Sequence, residues 1–199
     1  MNRGKLVVLE GIDGAGKTSI AYKLLEDLEK SEYHVLYTYE PYNTRYVEIL
    51  KNEYNSFRSA FLDALTYAAD RLLHIEMVID PAIREGKIVV CDRYYYSSAA
   101  YQGAMGAPIE WILEINRFAR KPDVAIYLDI DPELGLKRRK GLSSRFPEYE
   151  QLEILNKVRQ NYLHLVDKGL LIMVDASRNF DEVYQDVKKL IAEKLRIAF

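Results

Sequence analysis

The chain has 199 residues, which is enough to bury the core of one α/β domain. Its 28 basic and 30 acidic residues give a formal net charge of −2, whereas proteins that bind nucleic-acid phosphates usually carry excess positive charge. The single Cys91 excludes an intramolecular disulfide, and the apolar run KLVVLE is too short for a membrane span or a secretory signal. We therefore expect a cytoplasmic protein without a nucleic-acid polymer or a membrane as partner.

The predicted strands are short apolar runs rich in Val, Ile, Leu and Tyr. In chain order they are KLVVLE (5–10), HVLYTY (34–39), KIVVCD (87–92), DVAIYLDI (123–130) and LLIMVDA (170–176). Segments with apolar residues at helical spacing separate them, over residues 17–30, 57–80, 108–120, 148–167 and 180–197. This alternation predicts an α/β fold with a parallel sheet covered by helices on both faces. No linker or repeat interrupts it, so we expect residues 1–199 to form a single domain.

The stretch GIDGAGKT follows the first predicted strand, precedes the first predicted helix and matches the phosphate-loop pattern GxxxxGKT. Its members are Gly11, Ile12, Asp13, Gly14, Ala15, Gly16, Lys17 and Thr18. The glycines let backbone N–H groups approach a triphosphate, and the helix N-terminus adds a positive dipole. Lys17 can then reach the β- and γ-phosphates, and Thr18 is placed to hold Mg²⁺. The alternative is a glycine-rich turn with an incidental lysine.

A phosphate loop does not by itself name a reaction, because switch GTPases, motor ATPases and small-molecule kinases all have one. A GTPase would carry a guanine-reading motif of the NKxD type late in the sequence, and this sequence has none. A motor ATPase would normally be larger. The remaining motifs therefore decide among the classes.

Four stretches of the sequence resemble the thymidylate kinases, a family of nucleoside monophosphate kinases. They are LEGIDGAGKT (9–18), YEP (39–41), LTYAADR (65–71) and DRYYYSSAAYQG (92–103), and a basic loop with Arg145-Phe146 follows. The resemblance implies a three-layer P-loop fold with a five-stranded sheet in the order 2-3-1-4-5. It also implies a homodimer that transfers the γ-phosphoryl group of ATP to dTMP with Mg²⁺, giving dTDP and ADP. The alternatives are a kinase with another or broader monophosphate specificity and, less favoured, a nucleotide-dependent switch protein.

The resemblance assigns charged residues to the transferred phosphoryl group. Arg93 would hold the acceptor phosphate, and Asp92 would orient Arg93 or bind a water on Mg²⁺; the alternative is a salt bridge at a strand end. Asp13 would accept a hydrogen bond from the acceptor substrate, unless it only stabilises the turn. The neighbouring Tyr95 and Tyr96 are expected to be packing or surface residues.

The resemblance also assigns residues to the acceptor base and sugar. Tyr67 would stack on thymine and Arg71, four residues later on the same helix face, would bind the base edge; the alternative is a core edge beside a solvated charge. Ser97 and Gln102 are candidates for hydrogen bonds to the base, with helix capping as the alternative. Tyr101 would pack on the deoxyribose where a 2′-hydroxyl would clash.

A lid is implied over about residues 137–150, where the sequence KRRKGLSSRFPEYE predicts an exposed loop. Gly14 fits the family subtype in which a lid arginine is catalytic, and Arg145 is then the best candidate. Arg138 and Arg139 are secondary candidates, and a solvated basic helix end is the alternative. The sequence departs from the family after YEP, and the candidates for contacts from this loop to the acceptor phosphate and sugar are Glu40, Arg45 and Lys51.

Overall fold

Parallel strands form one sheet in this computed structural model, which describes residues 4–42, 44–139 and 151–199. The strands are β1 (Lys5–Glu10), β2 (Val35–Tyr39), β3 (Ile88–Asp92), β4 (Val124–Asp129) and β5 (Ile172–Asp175). Their order is β2-β3-β1-β4-β5, which confirms the predicted fold class and strand order.

The three central strands explain the apolar runs of the sequence. Nearly every residue of β1, β3 and β4 is buried, because helices cover both faces of a parallel sheet and neither face meets water. The pairing register places Asp92 beside Leu9 on one side and beside Tyr39 on the other. The carboxyl ends of β1, β2 and β3 therefore meet at one edge of the sheet, where ligands bind in open α/β folds.

Helices connect the strands and form the two outer layers. They are α1 (Lys17–Lys30), α2 (Arg45–Asn52), α3 (Ala60–His74), α4 (Asp80–Arg84), α5 (Tyr95–Ala104), α6 (Ile109–Ile115), α7 (Pro132–Arg139), α8 (Leu152–Asp167) and α9 (Phe180–Leu195). α1 and α9 contact each other and the sheet, whereas α8 contacts β4 and α5, and α4 contacts β3. Across the described ranges, no helix combines the length and the apolar character that a membrane crossing requires.

The helix predicted over residues 57–80 has different ends in the structure. It begins at Ala60, where the Ser59 hydroxyl accepts a hydrogen bond from the backbone N–H of Leu62 at 3.2 Å. It then continues through a π-helical turn (Ile75–Ile79) into α4, past Pro81. The π-helical turn already interrupts the regular hydrogen-bond ladder, so the missing N–H of Pro81 costs little there.

The sequence patterns did not predict α2, α5 or α7. The start of α5 is Tyr-Tyr-Ser-Ser, and neither residue type favours a helix by intrinsic propensity. The basic residues Lys137–Arg139 form the last turn of α7, and the rest of the predicted lid lies outside the described residues.

Candidate active site

The phosphate loop wraps around the N-terminus of α1 and packs directly on α7. Gly16 precedes the helix with φ +91°, a left-handed conformation that glycine adopts without strain. Gly14 approaches α7 so closely that an added Cβ would overlap the backbone oxygen of Gly135. Glycine at position 14 is thus required by packing as well as by access of a phosphate to the loop N–H groups.

Lys17 lies in the first turn of α1 and is only 6% exposed. Its Nζ donates a hydrogen bond to the carbonyl oxygen of Ile12 at 3.0 Å, so the side chain folds back over the loop. Burial, followed by the positive charge of Arg93, lowers the pKa of Lys17 from 10.5 to about 8. A phosphate bound against the ammonium would favour its charged form.

The carboxylate of Asp13 lies where three cationic side chains converge. Its Oδ1 is 2.5 Å from Nη2 of Arg93 and 3.8 Å from Nζ of Lys17, and its Oδ2 is 3.3 Å from Nη1 of Arg139. Burial by itself would raise the pKa of Asp13, but the three cations outweigh it and hold this pKa well below 3.8. Asp13 is therefore ionised at neutral pH, and the cations around it form a site that can take phosphate oxygens.

Thr18 and Asp92 lie together beside the phosphate loop. The Thr18 hydroxyl donates to Oδ2 of Asp92 at 2.6 Å, and the hydroxyl of Tyr37 is 3.5 Å from the same oxygen. Hydroxyl and carboxylate oxygens are the hard ligands that Mg²⁺ prefers. The pair therefore fits the Mg²⁺ site predicted from the sequence.

Arg93 follows β3 with a backbone φ of +73°, which directs its side chain toward the phosphate loop. Its Nη2 donates to Asp13 and, at 3.4 Å, to the hydroxyl of Tyr101, while its Nη1 donates to Ser97 Oγ at 3.2 Å. The guanidinium also lies over the Tyr101 ring, 5.1 Å from the centroid. Arg93 thus links the phosphate loop to α5.

A second pocket opens on the other side of Arg93. The residues that the sequence predicted for the acceptor substrate all line it: Glu40, Tyr67, Arg71, Arg93, Ser97, Tyr101 and Gln102. Tyr67 and Gln102 are buried, at 7% and 3% exposure, so they present their side chains to the pocket and not to bulk solvent. The structure therefore brings together residues that lie up to 62 positions apart in the sequence.

Glu40 and Arg71 form a buried ion pair in the wall of this pocket. Nε of Arg71 donates to Oε2 of Glu40 at 2.6 Å, and Oε1 of Glu40 is 3.2 Å from Nδ1 of His74. Both carboxylate oxygens of Glu40 are thus engaged within the protein.

Comparison with known proteins gives a consistent result along the whole chain. The family model described as thymidylate kinase matches residues 9–187. A "Probable thymidylate kinase" of Staphylothermus marinus is 66% identical over 194 residues, which cover 98% of each chain. One of Pyrococcus abyssi is 43% identical over 97% of this chain and 98% of the relative, and a "Thymidylate kinase" of Clostridium novyi is 37% identical over 94% and 98%. The chain belongs to the thymidylate kinase family.

The phosphate loop of this thymidylate kinase family member opens into a cleft of about 680 Å³, which is large enough for a nucleotide. Arg138 and Arg139 line it from α7. Arg138 donates to the carbonyl oxygens of Ala176 and Ser177 at 2.7 and 3.0 Å, so it fastens α7 to the loop after β5. Arg139 reaches Asp13, and Arg145, the preferred lid candidate, lies outside the described residues.

Glu10 is a buried residue of the site that the sequence analysis missed. Its Oε1 accepts from the backbone N–H groups of Tyr94 and Ser97 at 2.8 and 3.1 Å, and its Oε2 accepts from the hydroxyls of Ser97 and Tyr162 at 2.5 and 2.9 Å. Burial raises the pKa of Glu10, although these hydrogen bonds and Arg93 oppose the rise. Its position just before the phosphate loop, at the carboxyl end of a strand, could have identified it as a site residue.

His74 and Asn116 were also missed, and both support Arg71. His74 lies three residues after Arg71 on the same helix face, which is a usable sequence clue. Nothing in the sequence marks Asn116, whose contact with Arg71 spans 45 residues.

The three tyrosines of the DRYYY segment have different surroundings in the structure. Tyr95 and Tyr96 pack in the core, and the hydroxyl of Tyr95 donates to that of Tyr96 at 2.9 Å. Tyr94 is fully buried and lines the acceptor pocket, and its hydroxyl donates to the carbonyl oxygen of Arg120 at 3.0 Å. These rings therefore position α5 against the sheet.

One buried group of potential metal ligands, Glu40, His74 and Cys91, lies among the described residues. Glu40 is already paired with Arg71, and the thiol of Cys91 donates to the backbone oxygen of Arg93 at 3.1 Å. Burial raises the pKa of this thiol, which disfavours the thiolate that metal binding needs. A cation at this place would also meet the Arg71 guanidinium, so we assign no metal to it.

Proposed function

We propose that the protein is an ATP- and Mg²⁺-dependent kinase that transfers the γ-phosphoryl group of ATP to dTMP, giving dTDP and ADP. Family membership supports this reaction, and one observation supports it most directly. Arg93 and Glu40 line both the phosphate-loop cleft and the acceptor pocket, so the two sites meet at a shared wall. A switch protein has no need of the second pocket.

The donor triphosphate binds to the loop N–H groups, and Lys17 neutralises its β- and γ-oxygens. Thr18 and Asp92 would hold Mg²⁺, which when bound would neutralise part of the phosphate charge. An oxygen of the acceptor 5′-phosphate attacks the γ-phosphorus. The bond between the γ-phosphorus and the oxygen that bridges the β- and γ-phosphates breaks, and ADP leaves. Because the acceptor oxygen is already anionic, positioning and charge neutralisation are the main contributions of the protein.

Arg93 binds the acceptor phosphate in this proposal. Its fork of N–H donors suits a phosphate, and it now holds the Asp13 carboxylate at 2.5 Å, which a phosphate oxygen can replace as partner. Asp13 is then available to accept a hydrogen bond from the acceptor substrate. Both roles use the same cluster of charges at the end of β3.

The base and sugar of the acceptor occupy the pocket beyond Arg93. Tyr67 stacks on the base, while Arg71 and Gln102 bind its edge. Tyr101 packs against the sugar. The Ser97 hydroxyl donates to Glu10, so its share in base binding is smaller.

A lid over about residues 137–150 completes the proposed kinase domain, which spans residues 1–199. Arg139 at the end of α7 already reaches Asp13, and Arg145 would act on the transferred group when the lid closes. Closure would also exclude water and suppress hydrolysis of ATP.

We further propose a homodimer and a cytoplasmic location. Large apolar side chains are exposed along α2, α3 and the turn between them: Tyr46, Tyr54, Phe57, Phe61, Leu62, Leu65 and Leu72. Such a patch is typical of a surface that a partner covers, and the family resemblance identifies the partner as a second copy. The unpaired, buried Cys91 is compatible with a reducing compartment.

The proposed reaction is tested by measuring ADP release with ATP, Mg²⁺ and a panel of acceptors: dTMP, dUMP, dCMP, dGMP, AMP and ribo-TMP. We expect the highest kcat/KM with dTMP, and Arg93→Lys should lower kcat/KM for dTMP at least a hundredfold because the bidentate phosphate contact is lost. Highest kcat/KM with another monophosphate would assign a different acceptor. ADP release that no acceptor stimulates would refute the kinase function.

A further inference from the structure

The guanidinium of Arg71 is held by groups from three other parts of the fold. Nε donates to Oε2 of Glu40 at 2.6 Å, Nη1 to Oδ1 of Asn116 at 2.6 Å and Nη2 to Oγ of Ser98 at 3.2 Å. All four residues are buried, with Arg71 at 3% exposure. The guanidinium plane therefore has one orientation, since turning it would break three buried hydrogen bonds.

The Asn116 amide is itself fixed. It lies at the C-terminus of α6, and its Nδ2 donates to the carbonyl oxygen of Ile112 at 2.8 Å. This bond leaves Oδ1 facing Arg71, where it accepts from Nη1. Asn116 thus ties the arginine to α6, an element that contributes no lining residue to the acceptor pocket.

His74 fixes Glu40 from behind. Its imidazole is fully buried between Oε1 of Glu40, 3.2 Å from Nδ1, and the hydroxyl of Thr38, 2.6 Å from Nε2. The Glu40 carboxylate can only accept, so Nδ1 carries the hydrogen of that bond. The ring of Tyr42 stacks on the imidazole at 4.7 Å, with 9° between the planes. His74 therefore ties the loop after β2 to α3.

The hydrogen-bond donors and acceptors of this cluster are distributed unevenly. A guanidinium has five N–H donors, and three of those of Arg71 have partners among the described residues. The facing oxygens of Glu40 and Asn116 are used by the cluster itself. Toward the pocket, Arg71 thus offers N–H donors only, which suit a carbonyl oxygen and cannot accept a hydrogen bond from an amino group.

We propose that Asn116 and His74 are positioning residues that set the acceptor-base selectivity of the enzyme by holding Arg71 in this orientation. The inference rests on the proposed function, in which Arg71 binds the base edge. The selected class is a pyrimidine with a carbonyl group at the edge that Arg71 faces, in preference to one with an amino group. Loss of either support frees the guanidinium to turn and weakens this selection.

The test compares dUMP with dCMP, which differ only at that edge: uracil has a carbonyl group and a protonated N3, whereas cytosine has an amino group and an unprotonated N3. Asn116→Ala should lower the dUMP-to-dCMP ratio of kcat/KM at least tenfold, mainly through a higher KM for dUMP. KM for ATP and kcat for dTMP should stay within about threefold, because Asn116 contacts neither reacting group. The matched control is Asn161→Ala, which also removes an amide bonded to a backbone oxygen, that of Ala100 at 2.9 Å, and should leave the ratio unchanged.

A second pair of variants separates positioning from packing. His74→Asn keeps an N–H donor near the place of Nδ1, whereas His74→Leu keeps bulk and removes the donor. We expect His74→Asn to keep the dUMP-to-dCMP ratio of kcat/KM within about threefold of the unmodified value. His74→Leu should lower this ratio at least tenfold. Circular dichroism verifies folding, and if Asn116→Ala does not fold, the His74 pair decides the question.

The outcomes distinguish this inference from the proposed function. If the unmodified enzyme phosphorylates dTMP but does not prefer dUMP over dCMP, or if Asn116→Ala and His74→Leu keep that preference, the positioning role is wrong and the kinase assignment stands. If no monophosphate is phosphorylated, the proposed function fails. Calorimetric titration of dUMP and dCMP into the unmodified and variant proteins then tests the positioning role through the ratio of the two dissociation constants.

Discussion

Arg93 shows how a single residue can be kept in an unfavourable backbone conformation for the sake of its side chain. A φ of +73° costs a non-glycine residue about 1 kcal/mol or more. The backbone N–H of Arg93 donates to Leu9 at 2.9 Å, and the side chain pairs with Asp13, so strand and phosphate loop both hold it in place. This conformation places the guanidinium in the wall shared by the phosphate-loop cleft and the acceptor pocket.

The pH dependence of ATP use should report the ionisation of Lys17. Its pKa in the free protein is about 8, so its positive charge is present below pH 8 and is lost as pH rises above it. We expect kcat/KM for ATP to fall above about pH 8, approaching tenfold per pH unit. At saturating ATP the decline in kcat should move to higher pH, because bound phosphates favour the charged lysine.

Lys17→Arg provides the matched control for this profile, because an arginine stays protonated throughout the range. The variant should be less active, since a guanidinium does not fit the place of the ammonium, but its kcat/KM for ATP should lack the decline near pH 8. The same decline in both proteins would show that another group is responsible.

At the level of secondary structure, the N-terminus of α5 is capped by the side chain of Glu10, which lies on strand β1. Tyr94 precedes the helix and offers no side-chain cap, and Glu10 on β1 accepts from the N–H groups of Tyr94 and Ser97 instead. The helix that carries much of the acceptor pocket is thus anchored to the residue before the phosphate loop. Because Glu10 also binds Tyr162 on α8, three elements meet at one carboxylate.

Replacing Glu10 should therefore affect stability in a way that depends on the replacement. Glu10→Ala leaves two N–H groups and two hydroxyls without their acceptor and should lower the free energy of unfolding by roughly 3 kcal/mol or more. Glu10→Gln keeps one acceptor oxygen, gains an N–H donor that the hydroxyls can accept, and avoids a buried charge, so its cost should stay under about 1 kcal/mol. Urea denaturation at pH 7 measures both, and equal losses would contradict the capping role.

The sign of the pH effect at Glu10 follows from its raised pKa. Between 4.5 and that raised pKa, the folded state binds more protons at this group than the unfolded state, so stability falls as pH rises through this window. The unmodified protein should therefore gain stability relative to Glu10→Gln as the pH is lowered from 7 toward 5. A constant difference in the free energy of unfolding between the two proteins across this range would mean that burial does not disfavour the ionised form of Glu10.

At the scale of the whole molecule, the exposed apolar surface of α2 and α3 predicts self-association. Light scattering coupled to size exclusion should give twice the chain mass of 23.1 kDa. Leu62→Glu places a charge in this surface and should shift the protein to the monomer. Leu170→Glu is the matched control, because both leucines are 37% exposed and Leu170 lies outside the patch. A monomeric unmodified protein, or equal effects of the two variants, would refute the proposed interface.

The fold of the molecule could largely be predicted from local patterns. The apolar strands of a buried parallel sheet are visible in the sequence, and GIDGAGKT identifies the phosphate loop through glycines at positions of positive φ. The missed helix α5 shows the limit of this approach. Its residues have weak helix propensity, and its cap, Glu10, lies 84 residues before Tyr94.

The class of sheet, the phosphate loop and the family could be predicted from the sequence alone, because these depend on periodicity and on motifs of adjacent residues. The sequence also predicted Arg93, Tyr67 and Arg71 as site residues, and all three line one pocket. Only the tertiary structure decided what orients them: Asp13 against Arg93, and Glu40, His74 and Asn116 around Arg71. The physical reason is that a buried charge must find its hydrogen-bond partners wherever the packing of helices and strands brings them, and sequence distance does not record that packing.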